Sequence, residues 1–160
     1  MDVFEYAMNM EIEGEKIYRT LANKNNDVGL KVIFEMLADM EKEHYRVFSE
    51  MRTNNFKQAE RPDILPDILK VLKWMKNRME KITLDTPQLE IYRQAMESEK
   101  EAQVFYSEKA NESNDPMTKT ALLQIAEEEH RHFEILEEII GALSPDGMDI
   151  EDGGWSRMPS

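Results

Sequence analysis

Apolar side chains recur every three or four residues through four long stretches of the chain, the spacing of a helix with one buried face. In the first stretch Phe4, Ala7, Met8, Glu11, Gly14, Tyr18, Leu21 and Ala22 share that face. In the second, Leu30, Ile33, Leu37, Met40, Glu41, His44, Val47, Phe48 and Met51 form the inward stripe. Asn25-Asn26-Asp27 separates the two as a turn, with Asp27 placed to cap the second helix. Arg52-Thr53-Asn54-Asn55 then loosens the chain, and a long connection runs from about Asn54 to Thr86. Within it Ile64, Leu65, Ile68, Leu69, Val71, Leu72, Met75 and Met79 predict an amphipathic crossover helix over about residues 63–81. Pro62 and Pro66 fall near its start, where proline is tolerated. Asp85-Thr86-Pro87 opens a third long helix reaching about Ser113; Asn114-Asp115-Pro116 repeats the signal for a fourth, ending between Gly141 and Pro145. Residues 144–160 read as an irregular tail in which Trp155 is the candidate anchor. Two helical hairpins and a crossover predict an all-α four-helix bundle over residues 1–143.

The two hairpins correspond at a constant offset of 88 residues (11 to 99, 41 to 129). Phe4 matches Tyr92, Ala7 matches Ala95, Met8 matches Met96 and Gly14 matches Ala102. Asp27 matches Asp115, Leu37-Ala38 matches Ile125-Ala126, and Phe48 matches Leu136. Helical composition alone reproduces the apolar matches, but not the caps and the chemistry-bearing residues in the same register. Internal duplication explains all of them. A pair of hairpins joined by a long helical crossover between helices 2 and 3 is the ferritin-like connectivity.

The duplicated polar positions carry the candidate chemistry. Glu11 is followed seven residues later by Tyr18, and Glu99 by Tyr106; Glu41-x-x-His44 recurs as Glu129-x-x-His132. Residues three apart on a helix point to nearly the same side, so each Glu-x-x-His pair can serve one metal centre. One Glu from each of two helices, with Glu-x-x-His from each of the other two, matches the known di-iron and di-manganese carboxylate arrangement. Glu11, Glu41, His44, Glu99, Glu129 and His132 are therefore the candidate ligands. Four carboxylates inside a bundle cost several kcal/mol per uncompensated ion unless cations or protons neutralise them. Oxygen and imidazole donors suit iron or manganese, and zinc through affinity alone. A second match, Glu127-x-x-His130, breaks the 88-residue register and turns largely away from Ile125, Leu136, Ile139 and Leu143, which makes His130 a surface histidine. Tyr18 and Tyr106, two turns from a candidate ligand on the same face, are placed either as core aromatics or as hydrogen-bond donors to a ligand carboxylate. The twelve Met read as core filler.

Composition narrows the partners. A formal net charge of −13 over 160 residues disfavours nucleic acid and anionic membranes. No apolar run is long enough to span a bilayer, and Met1-Asp2-Val3-Phe4-Glu5 is no signal peptide, so a cytoplasmic location is expected. The absence of cysteine excludes disulfides and thiolate metal sites from these residues.

With these motifs the chain resembles the rubrerythrin branch of the ferritin-like superfamily over about residues 2–143. Residues 37–44 (LADMEKEH) and 125–132 (IAEEEHRH) are similar to that family's two helices bearing Glu-x-x-His. The stretches from Glu11 to Tyr18 and from Glu99 to Tyr106 are similar to its other two. The resemblance implies two non-haem iron ions reacting with hydrogen peroxide or dioxygen, an oxidoreductase in defence against oxidants, and a homodimer; the long crossover also permits exchange of hairpins between subunits. Two departures stand out. Rubrerythrins usually carry a further Glu three residues after the third-helix ligand, where this chain has Ala102. That makes the six-ligand set symmetrical, closer to bacterioferritins, and keeps a ferroxidase and iron-handling role in view. Rubrerythrins also usually bear a rubredoxin domain, which needs cysteine, so a separate electron-donor protein is expected. A metal-free helical interaction module is the remaining alternative.

Overall fold

The computed structural model describes residues 2–57, 63–76, 84 and 86–143, and all its regular structure is helical. The elements are α1 (Val3–Lys24), α2 (Val28–Arg52), α3 (Leu65–Lys76), α4 (Thr86–Glu112) and α5 (Pro116–Leu143). Helix α1 packs on α2, α4 on α5, α1 on α4, and α3 on α2. This is the four-helix bundle with a helical crossover that the apolar pattern predicts.

Helix starts follow the capping residues. Asp2 accepts a hydrogen bond from the Glu5 amide at 2.8 Å, and Asp27 does so from Leu30 at 3.1 Å. Asp115, at the position equivalent to Asp27, accepts from the Thr118 amide at 3.0 Å and from its hydroxyl at 2.6 Å. Each satisfies a donor that the first helical turn leaves without a partner. Helix α2 closes where Asn54 turns left-handed (φ 58°), a conformation Asn tolerates at a helix end. The expected contributions of Pro62, Met79, Asp85, Trp155 and the 144–160 tail lie outside the described residues.

Helix α3 is narrower in its contacts than the apolar count implies. Ile68, Leu72 and Met75 form its buried stripe, whereas Leu69 is 46% exposed. At roughly 100° per residue Leu69 stands about 100° from Ile68 and about 120° from Met75, so it falls at the outer margin of the stripe they centre. Met75 packs directly over Gly29: a Cβ there would come 2.4 Å from the Met75 sulfur, so α3 sits closely on the start of α2.

The core is divided. One apolar cluster gathers the C-terminal half of α1, the N-terminal half of α2, α3, the start of α4 and the end of α5. The other gathers Ala7, Val47, Phe48, Met51, Ala102, Tyr106, Ala110, Ala121, Leu122, Ile125 and Ala126 from the opposite end. Between them lies a layer of buried polar side chains, and that layer contains all six candidate ligands.

Candidate metal centre

Glu11, Glu41, His44, Glu99, Glu129 and His132 are each at most 2% exposed and converge from four helices. They form two overlapping groups in which one ligand atom per residue lies within 4.8 Å of every other. The first is Glu11, Glu41, His44 and Glu129; the second is Glu41, Glu99, Glu129 and His132. Glu41 and Glu129 belong to both, so they occupy the shared middle. The imidazoles of His44 and His132 stack with centroids 6.0 Å apart, flanking that middle.

The inward nitrogen and oxygen atoms face one another at close range. His44 Nδ1 lies 3.0 Å from Glu129 Oε1 and 3.4 Å from Glu11 Oε2. His132 Nδ1 lies 3.2 Å from Glu41 Oε1 and 3.5 Å from Glu99 Oε2. Yet Glu11 Oε2, His44 Nδ1, Glu99 Oε2 and Glu129 Oε1 are buried with no aligned hydrogen bond. A buried polar atom left unpaired is costly, and native folds seldom tolerate several in one place. Four together, all with lone pairs aimed at a common space, fit divalent cations.

The outward atoms are anchored. Tyr18 donates its hydroxyl to Glu99 Oε1 at 2.9 Å, and Tyr106 donates to Glu11 Oε1 at 2.7 Å. The bonds run crosswise, α1 to α4 and α4 to α1, so each hairpin orients a carboxylate of the other. Burial, reinforced by Glu99, Glu41 and Glu129, pushes the Tyr18 phenol well above its ordinary pKa of 10.0. Burial and then Glu11 do the same to Tyr106, so both phenols stay protonated donors. Hydrogen bonds to a charged acceptor contribute about 1.5–3 kcal/mol, so Tyr18→Phe and Tyr106→Phe should each lose that much stability in urea unfolding of the metal-loaded protein.

Without metal the centre compensates by holding protons. Burial first, then the charge of Glu11 and other carboxylates, raises Glu41 and Glu129 well above the ordinary 4.5. For His44 burial pulls downward, but Glu11, Glu128 and Glu41 outweigh it and hold the imidazole well above 6.5. Glu99 moves the other way: burial opposes ionisation, but the charge of His132 overcomes it and lowers the pKa. Raised native values mean the folded state binds more protons than the unfolded chain, so stability declines as pH rises. The Glu99 contribution has the opposite sign but is complete once pH is above 4.5. The metal-free protein should therefore lose melting temperature as pH rises above 6.5, where the unfolded histidine has already lost its proton. Melts of the metal-free protein across that range check this, and a rising melting temperature would contradict it.

Other expected and unexpected residues fall into place around the cluster. His130 is 42% exposed, 3.7 Å from Glu134, and Glu127 pairs with Arg131 at 3.1 Å, so the out-of-register pair stays outside the cluster. Gly14 makes room for a shared carboxylate: a Cβ there would lie 3.3 Å from Glu41 Cδ. Helical periodicity assigns Glu128 no role and places Met40 only in the apolar stripe. Glu128 Oε1 is 2.9 Å from His44 Nε2, and Met40 Sδ is 3.2 Å from His132 Nε2. The available signal was the mismatch itself, since Met40 and Glu128 stand at equivalent positions of the duplication.

An all-α bundle of two hairpins and a crossover, with Glu on all four long helices and His on two, is a ferritin-like protein. The rubrerythrin family model matches residues 2–140, and the chain belongs to the rubrerythrin family. Comparisons with curated proteins and with solved structures returned no match. The two overlapping carboxylate–imidazole groups are compatible with the di-iron carboxylate character of that family. None of the described helices is long and apolar enough to cross a membrane.

Proposed function

We propose that this protein is a non-haem di-iron oxidoreductase that reduces hydrogen peroxide or dioxygen in defence against oxidants. Glu11, Glu41, His44, Glu99, Glu129 and His132 would hold the two ions, with Glu41 and Glu129 shared. The observation that carries this reading is the set of four unpaired, inward-facing donor atoms in a core otherwise closed by apolar side chains. Two ferrous ions would supply the two electrons that, with two protons, convert one peroxide to two waters.

The chain's own residues prepare the centre for that chemistry. Four carboxylates offset the charge of two divalent cations, which removes the desolvation cost of burying either set alone. Tyr18 and Tyr106 fix Glu99 and Glu11 while keeping their own protons. The apolar clusters above and below exclude bulk water and strengthen the local electrostatics. Residues 1–160 contain no cysteine for a thiolate iron centre, so electrons would reach the ions from outside these residues.

Ala102 supports a second reading. It is buried at 3% exposure on α4, one turn after Glu99, and offers no seventh ligand. A symmetrical six-residue centre also suits a ferroxidase. Anaerobic Fe(II) reconstitution followed by separate stopped-flow mixing with peroxide and with dioxygen distinguishes the two. Faster oxidation by peroxide is expected; faster oxidation by dioxygen, with a cage of many subunits rather than a homodimer in light scattering, would favour ferroxidase. An unchanged melting temperature after Fe(II) addition would favour the metal-free interaction module.

A further inference from the structure

The duplication builds two equivalent halves but finishes them with different outer groups. Positions 40 and 128 each precede the Glu of a Glu-x-x-His pair, and each reaches the histidine of the opposite half. At one stands a carboxylate, Glu128, 2.9 Å from His44 Nε2. At the other stands a thioether, Met40, 3.2 Å from His132 Nε2. Both imidazoles are fully buried and both turn Nδ1 toward the cluster.

We propose that Glu128 is a positioning residue that makes the two cation positions unequal. The position built on Glu11, Glu41, His44 and Glu129 binds a divalent cation more tightly than the one built on Glu41, Glu99, Glu129 and His132. This inference rests on the six-residue cluster being a metal site. A carboxylate accepts hydrogen bonds, so it places the ring proton of His44 on Nε2 and leaves the Nδ1 lone pair free to face inward. The negative charge behind the ring also makes Nδ1 a stronger donor. The Met40 sulfur is only a weak acceptor, so it fixes the tautomer of His132 less firmly and adds no charge.

Met40 belongs to the first apolar cluster and is buried at its margin, whereas Glu128 lies at the edge of the bundle. Met40 and Glu128 line a surface cleft of about 230 Å³ under Leu65 at the start of α3, and the Glu128 side chain is 21% exposed. Neither is one of the six inward residues, so a substitution there removes no candidate ligand. Removing such a carboxylate partner typically costs about 10- to 100-fold in metal affinity, which sets the size of the expected inequality.

The test is calorimetric and spectroscopic titration of the metal-free protein with Co(II). Wild type should bind in two steps whose dissociation constants differ by about 10- to 100-fold. Repulsion between two cations also separates the steps, so the variants decide. Glu128→Met should weaken the tight step by about that factor and bring the two together, with both ions still bound. Met40→Glu should tighten the weaker step by about tenfold or more, and Glu128→Gln, which keeps an oxygen acceptor without the charge, should fall between Glu128→Met and wild type. Equal steps in wild type, or variants that move both steps alike, would overturn the proposal and leave the metal centre standing. A purely structural role for Glu128 would lower the melt of the metal-free protein without changing the ratio of the two constants. Should Glu128→Met fail to fold, Met40→Glu alone decides by the same ratio. No Co(II) binding by wild type at all would remove the metal centre itself, and this inference with it.

Discussion

Replacing either shared carboxylate, as Glu41→Ala or Glu129→Ala, is expected to strip the protein of both iron ions. Replacing Glu11 or Glu99 by Ala should leave one. The asymmetry follows from membership: Glu41 and Glu129 lie within 4.8 Å of the donor atoms of both groups, whereas Glu11 belongs to one and Glu99 to the other. Each shared residue would supply a negative charge to both cations, in a core where charge is poorly screened. Losing it leaves two cations facing three carboxylates, while losing Glu11 leaves the second group's four residues complete. Metal content of the purified variants after anaerobic Fe(II) loading reads this directly, with circular dichroism to establish that each is folded. Two retained ions in Glu41→Ala and Glu129→Ala would remove the shared middle from the account.

The second large effect is a change of sign. Glu129→Gln should stabilise the metal-free protein and destabilise the loaded one. In the metal-free state Glu129 is buried beside Glu11 and Glu99, and burial followed by their charges raises its pKa well above 4.5. Gln keeps the volume and an acceptor oxygen while removing the ionisable group, so the folded state no longer carries that penalty. Replacing an unfavourably buried ionisable group by a neutral one of similar volume stabilises by on the order of 1–4 kcal/mol. At about 2–4 °C per kcal/mol for a chain of this size, the metal-free melt should rise by several degrees. With metal bound the same change deletes a ligand, and a ligand that binds only the folded state stabilises it by mass action. The loaded variant should therefore melt below the loaded wild type. A metal-free variant that melts lower than metal-free wild type would show that Glu129 is held by partners other than cations and protons.

Much of this centre is legible in the sequence, for a specific physical reason. Helical periodicity fixes which residues share a face, and Glu11, Glu41, His44, Glu99, Glu129 and His132 all fall on apolar faces despite their charge. Duplication then supplies a register, and Asp27 with Asp115 shows the same register at the caps. That register also separates His132, which is fully buried, from His130, which is not. What periodicity does not fix is the rotation and translation of one helix against another. The crosswise bonds from Tyr18 to Glu99 and from Tyr106 to Glu11 depend on that relation. So do Glu128 reaching His44 and Met40 reaching His132. Gly14 belongs here too, because its lack of a side chain matters only once Glu41 leans over it from the neighbouring helix. In α3 the apolar count overstated the buried face, since Leu69 is apolar by sequence and outward by geometry.

The central claim is that four Glu and two His from four helices enclose two metal ions. Anomalous scattering at the iron edge from crystals of Fe(II)-loaded protein tests it most directly. Two peaks inside the bundle are predicted, each touched by one His, with Glu41 and Glu129 reaching both. A single peak, or iron found only on the acidic surface, would contradict the claim.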